Sequence, residues 1–437
     1  MAIAEPKPTA STDLHARYRE RTPRSAALFE RATRVLPGGS TRTTIFAPPY
    51  PPYLVGGRGI HVTDVDDNDY RDFLGNYTSL ILGHAHPDVV AAVEAQVRRG
   101  SAFGAPSELE IALAEELVRR IDSVERVRFT NSGTEATMFA IRAARARTDR
   151  STVAIFERAY HGTHDTVVAA SPGVPTAVGE LVVTLPWNDA DGVDRALAGR
   201  LDDLAAIVIE PIQGAGGVRA ASPELLRHLR AICDRAGALL IFDEVISFRA
   251  LPGGAQARSG VRPDLTTLGK IIGGGYPLAA FGGSAHVMDA FDARRSGALT
   301  HGGTFNGNPV GAAAGLATLA ALTPPVYTEL AGRAQRLRQI VANHADRASV
   351  DVRVDVEASI FQVRLGDQTA ASAVATGTGA ADLFVGLLLE GFYLAPRGMG
   401  AIATPATDAD IDDLAAAIVR VAATVSPAQP AGARQER

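Results

Sequence analysis

Near-continuous apolar runs recur along the middle of the chain, separated by stretches of helical composition. Val127-Arg128-Phe129 leads into the polar corner Asn131-Ser132-Gly133-Thr134, after which Glu135 to Arg147 carries apolar residues at helical spacings. Further strand-like segments stand at Val153 to Phe156, Leu204 to Ile209, Ala238 to Phe242 and Leu265 to Leu268, and Glu224 to Ala236 has helical character. Strands apolar throughout their length, alternating with helices, predict an α/β fold with a mainly parallel sheet covered on both faces. This large domain is expected over residues 76–320. Beyond it, Ala/Leu/Arg-rich helical stretches and β-like runs at Val350 to Val354, Ile360 to Val363 and Phe392 to Leu394 predict a smaller α+β domain over 321–425. The segment Tyr53 to Phe73, with its Asp66-Asp67-Asn68 turn, is placed with that smaller domain as part of residues 26–75, so both chain ends build it. Residues 1–25 and 426–437, rich in Pro, Ala, Gln and charge, read as flexible tails.

Composition narrows the function classes. A chain of 437 residues with 46% hydrophobic and 21% charged positions has ample core material for one large and one small domain. The net charge of −5 and the lack of any long Lys/Arg run argue against a nucleic-acid partner. No uninterrupted apolar run reaches the ~18 residues of a membrane span, and the N-terminus lacks a secretory pattern. A cytoplasmic enzyme without membrane association is the expectation. The single cysteine, Cys233, sits in a helical stretch as a packing residue and forms no internal disulfide. The pattern calls for no metal.

The basic residues are lopsided: of 43 Lys and Arg, only Lys7 and Lys270 are lysine. Arginine stays protonated, whereas a desolvated lysine can lose its proton and attack a carbonyl. Lys270 follows the Leu265 to Leu268 strand and precedes Ile271-Ile272-Gly273-Gly274-Gly275. Asp243 ends the strand before it, with Glu244 next, and Glu210-Pro211 ends another, so lysine and carboxylates are expected at the carboxyl edge of the sheet. Each acid alone is either a ligand or a cap for the next element. Ser132-Gly133-Thr134 is likewise either a plain helix cap or an anion cradle. Together a lysine, a carboxylate and an anion cradle match what pyridoxal 5′-phosphate requires. Tyr160-His161-Gly162 offers a stacking face, and Gly302-Gly303-Thr304-Phe305-Asn306-Gly307 is a second glycine loop.

Asn131-Ser132-Gly133-Thr134-Glu135-Ala136, Tyr160-His161-Gly162, Glu210-Pro211, Asp243-Glu244-Val245, Gly269-Lys270 with Gly273-Gly274-Gly275, and Gly303-Thr304-Phe305 jointly resemble the class III aminotransferases, from about Ala26 to Val421. Within that class the chain resembles the branch of glutamate-1-semialdehyde aminomutase and the β-phenylalanine and other β-amino acid aminotransferases. The resemblance implies the fold type I of pyridoxal-phosphate-dependent transferases, with a seven-stranded large-domain sheet, and an obligate homodimer with shared sites. It further implies that Lys270 carries the cofactor as a Schiff base and shuttles the substrate proton. Asp243 would pair with the pyridine nitrogen. Ser132, Gly133 and Thr134 would bind phosphate, joined by Thr304 from the other subunit. Tyr160 and Val245 would face the two sides of the ring, with His161, Glu210 and Gln213 in support.

The aminomutase branch carries an asparagine where this chain has Ala215, and lacks the arginine of Pro396-Arg397-Gly398. Asp243-Glu244-Val245-Ile246-Ser247, Asp264 to Lys270 and Pro396-Arg397-Gly398 resemble the β-amino acid aminotransferases instead. That resemblance implies Arg397 for the amino donor's carboxylate and Arg42 for the acceptor's, a task suited to a forked guanidinium. The expected reaction is transfer of an amino group between glutamate or a similar donor and a carboxylate-bearing ketone, a β-keto acid or a cyclic keto acid such as 3-dehydroshikimate, giving 3-aminobenzoate. The alternative is a mutase of the glutamate-1-semialdehyde type or an amino acid racemase.

Overall fold

The computed structural model describes residues 10–366 and 378–425. The chain divides into two compact units, one of residues 1–77, 82–85 and 329–437 and the other of residues 78–81 and 86–328. The larger unit is built on seven strands: β1 (Arg126–Thr130), β2 (Thr152–Phe156), β3 (Val182–Leu185), β4 (Leu204–Ile209), β5 (Leu239–Asp243), β6 (Leu265–Leu268) and β7 (Ala279–Gly283). Their order across the sheet is β1-β7-β6-β5-β4-β2-β3. β7 runs antiparallel to both β6 and β1, while β6, β5, β4, β2 and β3 pair in parallel.

Continuous hydrophobicity in the central strands follows from burial on both faces. In β4, all of whose residues are buried, Ala206 and Val208 pack with the Gly133–Thr148 helix while Ile207 and Ile209 pack with the Pro223–Ala236 helix. The latter helix starts at Ser222, whose hydroxyl accepts from Leu225 N, carries Pro223 in its first turn and stops at Gly237 in the left-handed region. Two strands of this seven-stranded sheet escaped the sequence reading. β3 is an edge strand of four residues, and β7, Ala-Ala-Phe-Gly-Gly, is too poor in β-branched residues to stand out.

In the smaller unit an antiparallel meander of Leu54–Arg58, His61–Asp64 and Asp69–Asp72 is joined in parallel by Phe392–Tyr393, with Phe392 opposite Arg71. A second sheet holds Val352–Glu357, Ile360–Leu365 and Met399–Ala401. The N-terminal stretch expected to be loose contains the helix Ala10–Arg21, whose Leu14 and Tyr18 are buried with Tyr50, Tyr70 and Phe384. Polar composition concealed it, since two buried side chains suffice to dock a short helix. Residues 1–9, including Lys7, and the C-terminal stretch 426–437 lie outside the described residues. Among the described residues no single helix is long and apolar enough to cross a membrane.

Candidate functional site

Parallel strands bring their carboxyl ends to one edge, and the chemically interesting residues leave from it. Asn131 to Thr134 follow β1, Tyr160 to Gly162 follow β2, Glu210 follows β4, Asp243 closes β5 and Lys270 follows β6. A cavity of about 300 Å³ there is lined by Ser132, Gly133, Thr134, Tyr160, Asp243 and Lys270, with Val245 and His161. Asn131, Tyr276, Pro277 and Leu278 line it too. The last three came from no reading of the sequence. They precede β7, whose antiparallel course sets Ala279 opposite Thr130 and thereby returns their segment to the carboxyl edge.

The Gly133–Thr148 helix begins at Ser132, whose Oγ accepts from Glu135 N at 3.2 Å, while the Glu135 carboxylate accepts from Asn131 N at 2.7 Å. This pair of bonds, a variant of the capping box reaching one residue further back, fixes the turn, and the helix's first amides favour an anion. Room is tight: a β-carbon on Gly162, at φ +96°, would lie 2.5 Å from Thr134 Oγ1 and 2.6 Å from Thr134 Cα. Backbone cannot yield as a flexible side chain does. The Gly162→Ala variant is therefore expected to lose about 1–3 kcal/mol of stability. It should also retain less cofactor through gel filtration; an unchanged melting temperature with full retention would contradict this reading of the turn.

Asp243 is buried and fully engaged. Its Oδ2 lies 2.7 Å from His161 Nδ1, and its Oδ1 accepts from Thr267 Oγ1 at 2.9 Å and from Val245 N at 3.1 Å. Thr267 sits opposite Asp243 because β5 and β6 pair in that register, and it went unnoticed in a strand that reads as plain core. Burial works against the His161 imidazolium, yet the bond to and charge of Asp243, with help from Glu210, push its pKa above the ordinary histidine value. Val245 packs its methyls against the positions of Gly133 and Gly269. Gln213 is buried outside the cavity lining, donating to Glu157 O at 2.9 Å and accepting from Arg219 at 2.7 Å. Thr304 is exposed and does not line this cavity.

Lys270 is half-buried and in the left-handed region at φ +52°. Burial lowers the pKa of its amine, more than the nearby Asp243 and Glu210 carboxylates raise it. The turn that holds it is packed against the Pro309–Ala321 helix so closely that a β-carbon on Gly315 would lie 1.9 Å from Ile272 O.

Glu210 accepts from Tyr160 N at 3.0 Å and Gly214 N at 3.3 Å. Burial pushes its carboxyl up to about 7, opposed by His161 and those amides and reinforced by Asp243. A carboxyl whose folded pKa exceeds its ordinary 4.5 contributes stability present below that value and lost as pH rises through 7. The neutral Glu210→Gln apoprotein should therefore gain on the wild type as pH rises from 5 to 8, by about 3 kcal/mol at most. Parallel pH profiles of melting temperature would contradict it.

Arg42 and Arg397 both belong to the smaller unit. Neither guanidinium has a carboxylate partner among the described residues. Arg42 donates from Nη1 to Asn76 Oδ1 at 3.0 Å, and its guanidinium carbon lies 5.6 Å from the centre of the Tyr77 ring. Burial raises the Tyr77 hydroxyl pKa, while its donation to Thr44 O and the positive fields of Arg42 and Arg397 act against that rise. The positive charges of both arginines thus act on this one phenol. Among the described residues no cluster of His, Cys, Asp and Glu could hold a metal.

A model of the class-III aminotransferases matches residues 47–356. Glutamate-1-semialdehyde 2,1-aminomutase of Methanocaldococcus jannaschii is 41% identical over 358 residues, covering 79% of this chain and 84% of its own. An omega-transaminase from Sphaerobacter thermophilus shares the fold with a TM-score of 0.89 and 42% identity, over 93% of this chain and 99% of that one. A β-phenylalanine aminotransferase from Variovorax paradoxus gives 0.87 and 35%, over 94% and 96%.

Proposed function

This chain belongs to the class-III aminotransferases, enzymes dependent on pyridoxal 5′-phosphate, and on that premise we propose that it is a transaminase acting between glutamate or a similar donor and a carboxylate-bearing ketone, with β-keto and β-amino acids the first class to try. The observation that carries this reading is the pair of arginines without a carboxylate partner among the described residues, Arg42 set over the Tyr77 ring and Arg397 whose charge also acts on that phenol. A forked guanidinium is suited to a carboxylate, and a ping-pong exchange of two carboxylated substrates has work for two.

The cavity suits the cofactor. It offers an anion-seeking helix start, a buried carboxylate held by three donors or partners, and a desolvated amine. Bound there, the cofactor supplies an electron-withdrawing ring that makes a substrate carbon–hydrogen bond acidic. Ser132, Gly133 and Thr134 hold the phosphate. Asp243, held in place by Thr267 and the Val245 amide, would pair with the ring nitrogen. Tyr160 and Val245 confine the ring from its two faces, and His161 and Glu210 keep Asp243 and the Tyr160 loop in place. Lys270 Nζ would hold the cofactor and would carry the proton from the substrate carbon. Arg397 takes the donor's carboxylate and Arg42 the acceptor's. In a homodimer Thr304 would add a hydroxyl to the neighbouring subunit's phosphate.

The names of the curated relatives support a second reading, an aminomutase of the glutamate-1-semialdehyde type. Ala215 and Arg397 are the residues that speak against it here. Single-substrate incubation separates the two. A transaminase given only 3-amino-3-phenylpropanoate or glutamate stops after one half-reaction, seen as loss of the cofactor's visible band, and resumes when a keto acid is added. Sustained conversion of glutamate 1-semialdehyde with no second substrate would establish the mutase and sink the transaminase.

A further inference from the structure

Asn76 and Tyr77 stand in the left-handed region, at φ +48° and +55°, next to Gly75 at φ +53°. Thr78 follows at φ +76°, so three successive non-glycine residues stand at positive φ, which is costly, and other groups must hold them. Asp72 does so from below: its Oδ1 accepts from Leu74 N at 2.7 Å and Gly75 N at 2.9 Å, while its Oδ2 lies 2.7 Å from His84 Nε2. His84 is wedged in turn against Gly57, where a β-carbon would lie 2.8 Å from the imidazole. From above, Tyr77 donates to Thr44 O at 2.6 Å, closing the short turn Thr43–Ile45 that follows Arg42. The whole arrangement presents one amide oxygen, Asn76 Oδ1, to Arg42.

We infer that Asn76 is a positioning and specificity residue, aiming the Arg42 guanidinium at the substrate carboxylate, with the Asp72–His84 pair holding Asn76 in its left-handed conformation. The inference rests on the carboxylate role proposed for Arg42. Asparagine suits the place on two counts. It tolerates the left-handed region better than most side chains. It also accepts a hydrogen bond without neutralising the arginine, so the Nη2 and Nε donors keep their full attraction for an incoming carboxylate. An aspartate would fit the backbone equally well but would occupy the guanidinium as a resident ion partner.

Two substitutions therefore leave the fold intact and act on the guanidinium alone. Asn76→Gly removes the amide and Asn76→Asp adds the competing charge. In half-reactions of the holoenzyme with 3-amino-3-phenylpropanoate, the aminated form of a β-keto acceptor and so the substrate whose carboxylate falls to Arg42, Asn76→Asp should raise KM about tenfold or more and Asn76→Gly by a smaller factor. For both, kcat should stay within about twofold, since neither touches the chemistry. Arg42→Ala is the reference. If it raises KM and Asn76→Asp does not, the inference falls while the role of Arg42 stands; if Arg42→Ala leaves KM unchanged, the carboxylate role itself falls. Equal losses of kcat in the Gly and Asp variants would mark Asn76 as merely structural. Should the wild type turn over only glutamate 1-semialdehyde, the transaminase reading fails, and the same KM order on that substrate's single carboxylate decides the inference.

Discussion

Lys270→Arg is expected to lower kcat by about 10³–10⁴, the share that a positioned proton carrier contributes, and to abolish borohydride fixation of the cofactor. The charge is conserved and the chemistry is not. Arginine does not release its proton at any working pH, whereas burial lowers the Lys270 pKa in spite of Asp243 and Glu210. Lys270→Ala should be equally inactive yet at least as stable as the wild-type apoprotein, because it removes an amine whose desolvation is a cost. Rapid-mixing absorbance with a saturating amino donor gives the rate, and thermal melts of the apoproteins give the stability. An Arg variant within tenfold of wild type would remove Lys270 from the chemistry.

Asp243→Asn is expected to cost about 10²–10³ in kcat while the cofactor remains bound, a loss typical of removing one preorganised charge. The substitution isolates charge from shape. An asparagine oxygen can still accept from Thr267 Oγ1 and Val245 N, and its amide can donate to His161 Nδ1 once that ring changes tautomer. His161 would also lose the partner that holds its pKa up, so its titration should move below the wild-type value. Steady-state kinetics and histidine titration by NMR test both parts. A kcat within threefold of wild type would mean that the ring nitrogen does not depend on Asp243.

Much of this was legible in the chain. Four central strands, β2, β4, β5 and β6, fall where the continuous apolar runs lie, since a strand buried on both faces has no room for alternation. Strand ends then placed Asp243, Glu210 and Lys270 at one edge, and the Ser132-Gly133-Thr134 corner located the helix start. What was missed has physical reasons. Thr267 belongs to the site only through the parallel register that sets it opposite Asp243. Tyr276, Pro277 and Leu278 depend on the reversed direction of a strand whose Ala and Gly residues carry no strand signal. The helix Ala10–Arg21 was hidden by its polar surface.

The sequence by itself determined the repertoire: one lysine in the body of the chain, strand-end acids, a capped turn and a joint motif pattern specific enough to point to a family. Those are local properties, set by residue type and by spacing within a single element. Tertiary structure decided which members meet. Register and strand direction, fixed by hydrogen bonds between segments more than a hundred residues apart, put the segment before β7 beside β1. Packing and backbone conformation around Asp72, His84 and Asn76 decided how Arg42 is held, because a hydrogen bond across 34 residues has no signature in either residue's neighbours.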